Sequence, residues 1–310
     1  MARWVCHISR RALLSRFATT MPEGDTLHRI ADAMAPRLEG RPLLAVQAPR
    51  SEARVDSLVG ARVARIRAQG KYLVIELDRG IAIVTHLRMD GVWHLYEPGE
   101  RFRRARSRLR LLLEVEGAVA ACFDAPLVRF LWARELERFL GPSRLGPDIL
   151  GDSFDLEGAV TRLRARPDAP LGVALLDQRR IAGIGNVYKS ELCFHARLSP
   201  LALVSTIEPD ALRRLVALTR EVMQANVAKA RPDADVRRHH APHYLYQRDT
   251  TLGARRTTKT GCEVGKAPIY VYGRANRPCF ACGATIVRTR QGEQLRSTYS
   301  CPACQPVAQT

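Results

Sequence analysis

The chain has 310 residues, 46% of them hydrophobic and 26% charged, with a formal net charge of +18. This composition suits a folded protein long enough for two cored domains and excludes disordered or collagen-like chains. No apolar run reaches membrane-span length, and the positive charge points to a polyanionic partner, nucleic acid before anionic membrane.

Residues 1–20 contain Arg3, Arg10, Arg11 and Arg16 and no acid. They read either as an organellar transit peptide or as a start placed too early. The second reading is preferred, because Met21-Pro22-Glu23-Gly24-Asp25-Thr26 reads as a mature N-terminus. The segment is excluded from the fold.

If Met21 starts the chain and is removed, Pro22 carries a free secondary α-amine, with an unperturbed pKa near 8. Its attack on a sugar aldehyde carbon would give an iminium ion, an electron sink for elimination. While anything is attached, the Pro22 nitrogen is a tertiary amide and cannot attack. Glu23 is the adjacent candidate general acid. Proline followed by glutamate is also ordinary helix-start chemistry.

Leu27, Ile30, Ala31, Met34 and Leu38 fall at helical spacing, so a helix is expected over 23–38, with Gly40 as its stop. β-rich runs follow over 63–78, 81–96 and 109–123, the first folding around Gln69-Gly70. They predict a β-sandwich. Five helical segments, 131–140, 154–166, 170–180, 186–198 and 208–230, then predict a separate helical domain. A polar, basic stretch over 231–266 reads as loop, with His239, His240 and His243 solvated within it.

The chain closes on Cys279-x2-Cys282-x18-Cys301-x2-Cys304. Two such pairs around a hairpin-length insert predict a closed tetrahedral zinc site, which is structural because no ligand position is left open. The other cysteines are scattered, which fits a reducing compartment. The fold class expected is thus α+β and multidomain. Residues 21–135 form a catalytic β-sandwich with a leading helix, 136–266 a helical domain with a basic loop, and 267–310 a zinc ribbon.

Within 175–192, two helical arms flank Ile181-Ala182-Gly183-Ile184-Gly185-Asn186. The glycines permit tight turns and Asn186 can cap the following helix, whose N-terminal N–H groups would hold a phosphate. An ordinary helical hairpin is the alternative.

Taken together, Pro22-Glu23-Gly24 after Met21, the Gly185-Asn186 turn and the terminal cysteine ribbon occur in the order of one family. From Met21 to Gln305 the chain resembles the formamidopyrimidine-DNA glycosylase and endonuclease VIII family, with MPEGDT closer to the endonuclease VIII branch. The resemblance implies a helix-two-turn-helix element, a zinc finger and a bifunctional DNA glycosylase and abasic-site lyase. Pro22 matches the Schiff-base nucleophile, and Glu23 the acid that protonates the deoxyribose ring oxygen. Lys71 matches the proton donor in β-elimination, although a solvated hairpin lysine is the alternative. Asn186 matches the phosphate-binding asparagine. Arg296 matches the zinc-finger arginine that binds phosphate and serves δ-elimination.

His86-Leu87-Arg88-Met89-Asp90-Gly91 matches the loop that fills the hole left by a flipped base, with Met89 as the wedge and Arg88 on the DNA. A core methionine is the alternative. Arg129-Phe130 is read as a second intercalation loop. One departure is Thr26, where the family often has glutamate. An acid that assists ring opening is therefore missing or displaced to Asp25.

The expected protein is a base excision repair enzyme acting on oxidised bases, pyrimidines first, with one structural zinc ion and no small-molecule cofactor. Damaged DNA is its partner, it works as a monomer without a membrane, and it is cytoplasmic and nucleoid-associated. The alternative is a non-catalytic damaged-DNA-binding protein in which the extension blocks Pro22.

Overall fold

A computed structural model describes residues 22–228 and 269–307. Residues 1–20 and the histidines His239, His240 and His243 lie outside the described residues.

The leading helix α1 spans Gly24–Leu38, and its stripe of Leu27, Ile30, Ala31, Met34 and Leu38 is buried. Burial of each large side chain stabilises the fold by roughly 1.5–3 kcal/mol. The stripe packs into a core with Leu73, Ile75 and Ile83 from one sheet and Leu111 and Leu113 from another. Both sheets are antiparallel and four-stranded.

One sheet has the order β1-β6-β7-β5, from β1 (Ala45–Gln47), β5 (Val92–Tyr96), β6 (Leu109–Val115) and β7 (Ala118–Phe123). The other runs β2 (Val63–Gln69), β3 (Tyr72–Leu77), β4 (Ile81–His86) and β8 (Leu127–Trp132). The sandwich expected from the strand runs is present.

Strand β8 corrects the loop reading of Arg129-Phe130. These residues pair with Val84 and Ile83 of β4, because LVRFLW is rich in residues that suit a pleated surface. The next helix, α2 (Ala133–Leu140), crosses the expected boundary at 135. It packs Leu136 and Leu140 with Val74, Ala82 and Val84 of that same sheet.

The helical part comprises α3 (Leu156–Arg164), α4 (Leu171–Leu176), α5 (Asn186–His195) and α6 (Pro209–Ala228) around one apolar core. The helix expected over 170–180 stops at Leu176, where Asp177 turns extended. Among the described residues, no helix is long and apolar enough to cross a membrane.

Every residue of α5 from Val187 to Phe194 is buried, including four polar ones. Each polar side chain is an anchor. Tyr188 reaches Asp25 of α1. Lys189 Nζ donates to Ser297 O and Thr298 Oγ1 of the terminal hairpin, β9 (Val287–Gln291) and β10 (Arg296–Ser300). Ser190 Oγ accepts from the Tyr299 N–H. Glu191 accepts from the N–H groups of Tyr270, Val271 and Tyr272 at 2.7–2.9 Å. Buried charge is tolerable only when so satisfied. Thus α5 ties the sandwich and the hairpin to the helical core.

Candidate active site

The site is built where the start of α1 meets the start of α5. Gly24 N–H donates to Gly183 O at 2.9 Å, and a Cβ on Gly24 would lie 2.9 Å from Gly183 Cα. Glu23, 2% exposed, reaches across this contact. Its carboxylate accepts from Gly185 N–H at 2.9 Å, Val187 N–H at 2.8 Å and Tyr188 N–H at 3.4 Å. A Cβ on Gly185 would stand 2.1 Å from Glu23 Cδ, so glycine is required there for close approach.

This arrangement corrects only the expectation that the N–H groups at the start of α5 are free for a phosphate. The α5 N-terminus is an anion site, but Glu23 already fills it. Gly185 rather than Asn186 holds the N-cap position. The Asn186 amide meets the Tyr272 side chain.

Three N–H donors and the nearby Lys71 amine favour the ionised form of Glu23. Burial outweighs them and, with the charge of Asp25, pushes its carboxyl up to about 7. A carboxyl so tuned can hold a proton at neutral pH and give it up.

Lys71 reaches the site because of its turn. Gln69 pairs with Tyr72, leaving Gly70-Lys71 as a two-residue hairpin tip, and Gly70 sits at φ +60°. Gly70 N–H donates to Asp148 Oδ2 at 2.9 Å, which pins the tip against the α2–α3 connection. Lys71 is 7% exposed, which excludes a solvated hairpin lysine. Burial lowers its amine to about 8 against the pull of Glu23, with Arg296 helping to lower it.

A cavity of about 930 Å³ brings together Lys71, Arg88, Met89, Asn186 and Arg296. Met89 is 45% exposed at the tip of the β4–β5 connection, so it is not a core methionine. Arg88, at φ 48°, makes the sharp turn there, and its N–H donates to His86 Nδ1. Arg296 opens β10, with Nε and Nη2 donating to Gln294 Oε1 at 3.0 and 2.8 Å. Arg129 does not line this cavity; its guanidinium lies over the Phe139 ring at 5.5 Å.

Asp25, named as the place of a displaced acid, does not face the cavity, and neither does Glu23. Asp25 is fully buried and turned to the Tyr188 hydroxyl. Sequence reasoning missed several groups. His86 lines the cavity, and burial beside Lys71 and Arg88 lowers its imidazole to about 4, keeping it neutral. Arg179 and Arg180 add positive charge to the wall. Their signal in the sequence was the Gln178-Arg179-Arg180 run just before the glycine turn. A larger cavity of about 1180 Å³, between α1, β2, α3 and α6, is lined by none of Pro22, Glu23, Lys71, Arg88, Met89, Asn186 and Arg296.

The four terminal thiols converge. All four Sγ atoms of Cys279, Cys282, Cys301 and Cys304 lie within 4.8 Å of one another. Cys279–Cys304 is 3.9 Å and Cys282–Cys301 is 3.4 Å. A tetrahedral zinc with bonds of about 2.3 Å sets sulfurs roughly 3.8 Å apart, so the donor set fits that ion. The cluster could hold a metal, and it packs with Phe194, Val271 and Ile286 beneath the hairpin that carries Arg296.

Comparison with known proteins finds relatives along most of the chain. The profile of the formamidopyrimidine-DNA glycosylase N-terminal domain matches residues 21–128, and that of the formamidopyrimidine-DNA glycosylase H2TH domain matches 145–235. A probable endonuclease 8 2 of Streptomyces coelicolor is 38% identical, covering 92% of this chain and 94% of that protein. A DNA-(apurinic or apyrimidinic site) lyase of Mycolicibacterium smegmatis is 36% identical, covering 92% and 99%. The fold is similar to that of Lactococcus lactis Fpg in complex with DNA containing an abasic site. The TM-score is 0.72 at 20% identity, covering 92% of this chain and 99% of that one.

Proposed function

The chain belongs to the formamidopyrimidine-DNA glycosylase and endonuclease VIII family, and on that premise we propose a bifunctional DNA glycosylase and abasic-site lyase of base excision repair. The observation that carries this reading is the buried carboxyl of Glu23, cradled by three N–H groups beside the buried amine of Lys71.

Damaged DNA lies across the cavity. Met89 enters the stack as the target nucleotide leaves it, and Arg88 and Asn186 hold the backbone. The Pro22 nitrogen lone pair bonds to C1′. The damaged base leaves with the electrons of its glycosidic bond and takes up the proton the Pro22 nitrogen sheds. The freed nitrogen lone pair then forms C1′=N+ as the C1′–O4′ bond breaks, and Glu23 gives its proton to O4′. Lys71 serves as proton donor during β-elimination. Loss of a C2′ proton then expels the 3′ phosphate, and δ-elimination expels the 5′ phosphate with Arg296 on that group. Zinc held by Cys279, Cys282, Cys301 and Cys304 would supply rigidity to the hairpin and no chemistry. The enzyme acts as a monomer, in the cytoplasm, where the thiols stay reduced. Its units are the sandwich with α2 packed on it, the helical domain and the zinc finger.

Oxidised pyrimidines are the proposed substrates, supported by the Gly24-Asp25-Thr26 start and the relatives named endonuclease 8. A panel of duplexes, each with one oxidised base, tests this. Protein beginning at Pro22 should nick at oxidised pyrimidines several-fold faster than at oxidised purines. No nicking of any lesion would refute the enzyme reading, and the reverse order would refute the substrate class.

The hairpin makes its own prediction. Arg296→Ala should weaken DNA binding by about tenfold, the worth of a hydrogen bond to a charged group. It should also leave more product at the β-only end. Cys279→Ser should lower bound zinc and shift products the same way, since metal binding holds the hairpin folded. Metal analysis and gel separation of the two 3′ ends at saturating protein check both. A wild-type product ratio in Arg296→Ala would remove that residue from δ-elimination.

A further inference from the structure

Asp25 is fully buried but stands outside the cavity wall. A helix can start without a buried carboxyl, and burying one is costly. Here it ends a chain of hydrogen bonds. Asn226 Nδ2 on α6 donates to the Tyr188 hydroxyl oxygen at 2.5 Å, and that hydroxyl donates to Asp25 Oδ2 at 2.9 Å. The same Tyr188 gives its backbone N–H to Glu23 Oε2. One residue of α5 therefore touches both carboxyls.

We propose that Asp25 is a positioning residue for base excision, clamped by Tyr188 behind Glu23 so that the acid keeps its proton until the sugar is engaged. The inference rests on the reading of Glu23 as the acid. Glu23 faces Lys71 from the hairpin tip, Lys189 and Tyr188 from α5, Tyr272 from the segment before the zinc cluster, and Asp25. The amines and the three N–H donors all favour its carboxylate. Burial and the negative charge of Asp25 oppose them. Asp25 itself faces Arg29 and His28 of α1, Tyr188 of α5 and, through that hydroxyl, Asn226 of α6. Burial raises the Asp25 carboxyl above its ordinary range, and Arg29, the Tyr188 hydroxyl and His28 oppose this by favouring the ionised form, the form that acts on Glu23.

The test is single-turnover excision of a damaged base across neutral pH, beside cleavage of a pre-formed abasic site. Zinc-loaded enzyme beginning at Pro22 is compared with Asp25→Asn and Tyr188→Phe. With Glu23 protonated below about 7 and the Pro22 amine unprotonated above about 8, wild-type excision should be a bell whose acid-side limb lies near 7, set by Glu23. In Asp25→Asn that limb should move down by about one unit, slowing excision at neutral pH roughly fivefold, with abasic-site cleavage held within about twofold. Tyr188→Phe should move it the same way by less, since Asp25 then protonates more readily. An unshifted limb with both activities reduced in parallel would mean that Asp25 only supports the fold, and would overturn the inference. If Asp25→Asn does not fold, an unshifted Tyr188→Phe overturns it alone. A wild-type enzyme without that limb, whose Glu23→Gln variant excises normally, overturns the Glu23 reading itself, and this inference with it.

Discussion

Glu23→Gln is expected to lose excision of a damaged base by about two to four orders of magnitude, the usual worth of a positioned general acid. It should keep most of the cleavage at a pre-formed abasic site. The two steps divide because opening an intact nucleoside needs a proton on O4′, whereas an abasic site already offers an aldehyde. The substitution is nearly isosteric, and the amide oxygen can still accept from one of the Gly185, Val187 and Tyr188 N–H groups. Its NH2 would face the others, so the cradle loosens without emptying. The pH dependence follows with a definite sign. Excision needs protonated Glu23, whose fraction falls above about 7. It also needs an unprotonated Pro22 amine, whose fraction grows towards a pKa near 8. The profile should be a narrow bell that Glu23→Gln flattens on its alkaline side. Single-turnover rates on both substrates check this, and normal excision by the variant would remove Glu23 from the reaction.

The sandwich and α1 were legible because their signals are local. The period of Leu27, Ile30, Met34 and Leu38 reads directly as one buried helix face. The paired cysteines likewise carried their own convergence. Strand β8 was not legible, since six residues following Pro126 look like loop until β4 is there to pair them. The α5 N-terminus was legible as an anion site but not as to which anion, because Glu23 lies 162 residues from Gly185. Likewise the polar residues of α5 look like a solvated face. Only the packed fold turns Tyr188, Lys189, Ser190 and Glu191 into anchors for three other segments. Lys71 was placed by its hairpin, yet its depth depends on Asp148, far away in sequence, holding the tip.

The nucleophile itself carries the second large effect. Protein whose first residue is Pro22 is expected to become covalently trapped on abasic DNA by borohydride. Protein beginning at Met1 is not. In the longer chain the Pro22 nitrogen lone pair is delocalised into an amide, so neither carbinolamine nor iminium can form, and both excision and cleavage should be lost. In the shorter chain the iminium is reduced to a stable amine that survives denaturation. The direct measurement is trapping of the two forms side by side, followed by peptide mass mapping of the adduct. The predicted result is an adduct on Pro22 in the shorter form alone. Equal trapping of both forms, or an adduct on Lys71 or another lysine, would contradict the assignment of Pro22 as the nucleophile.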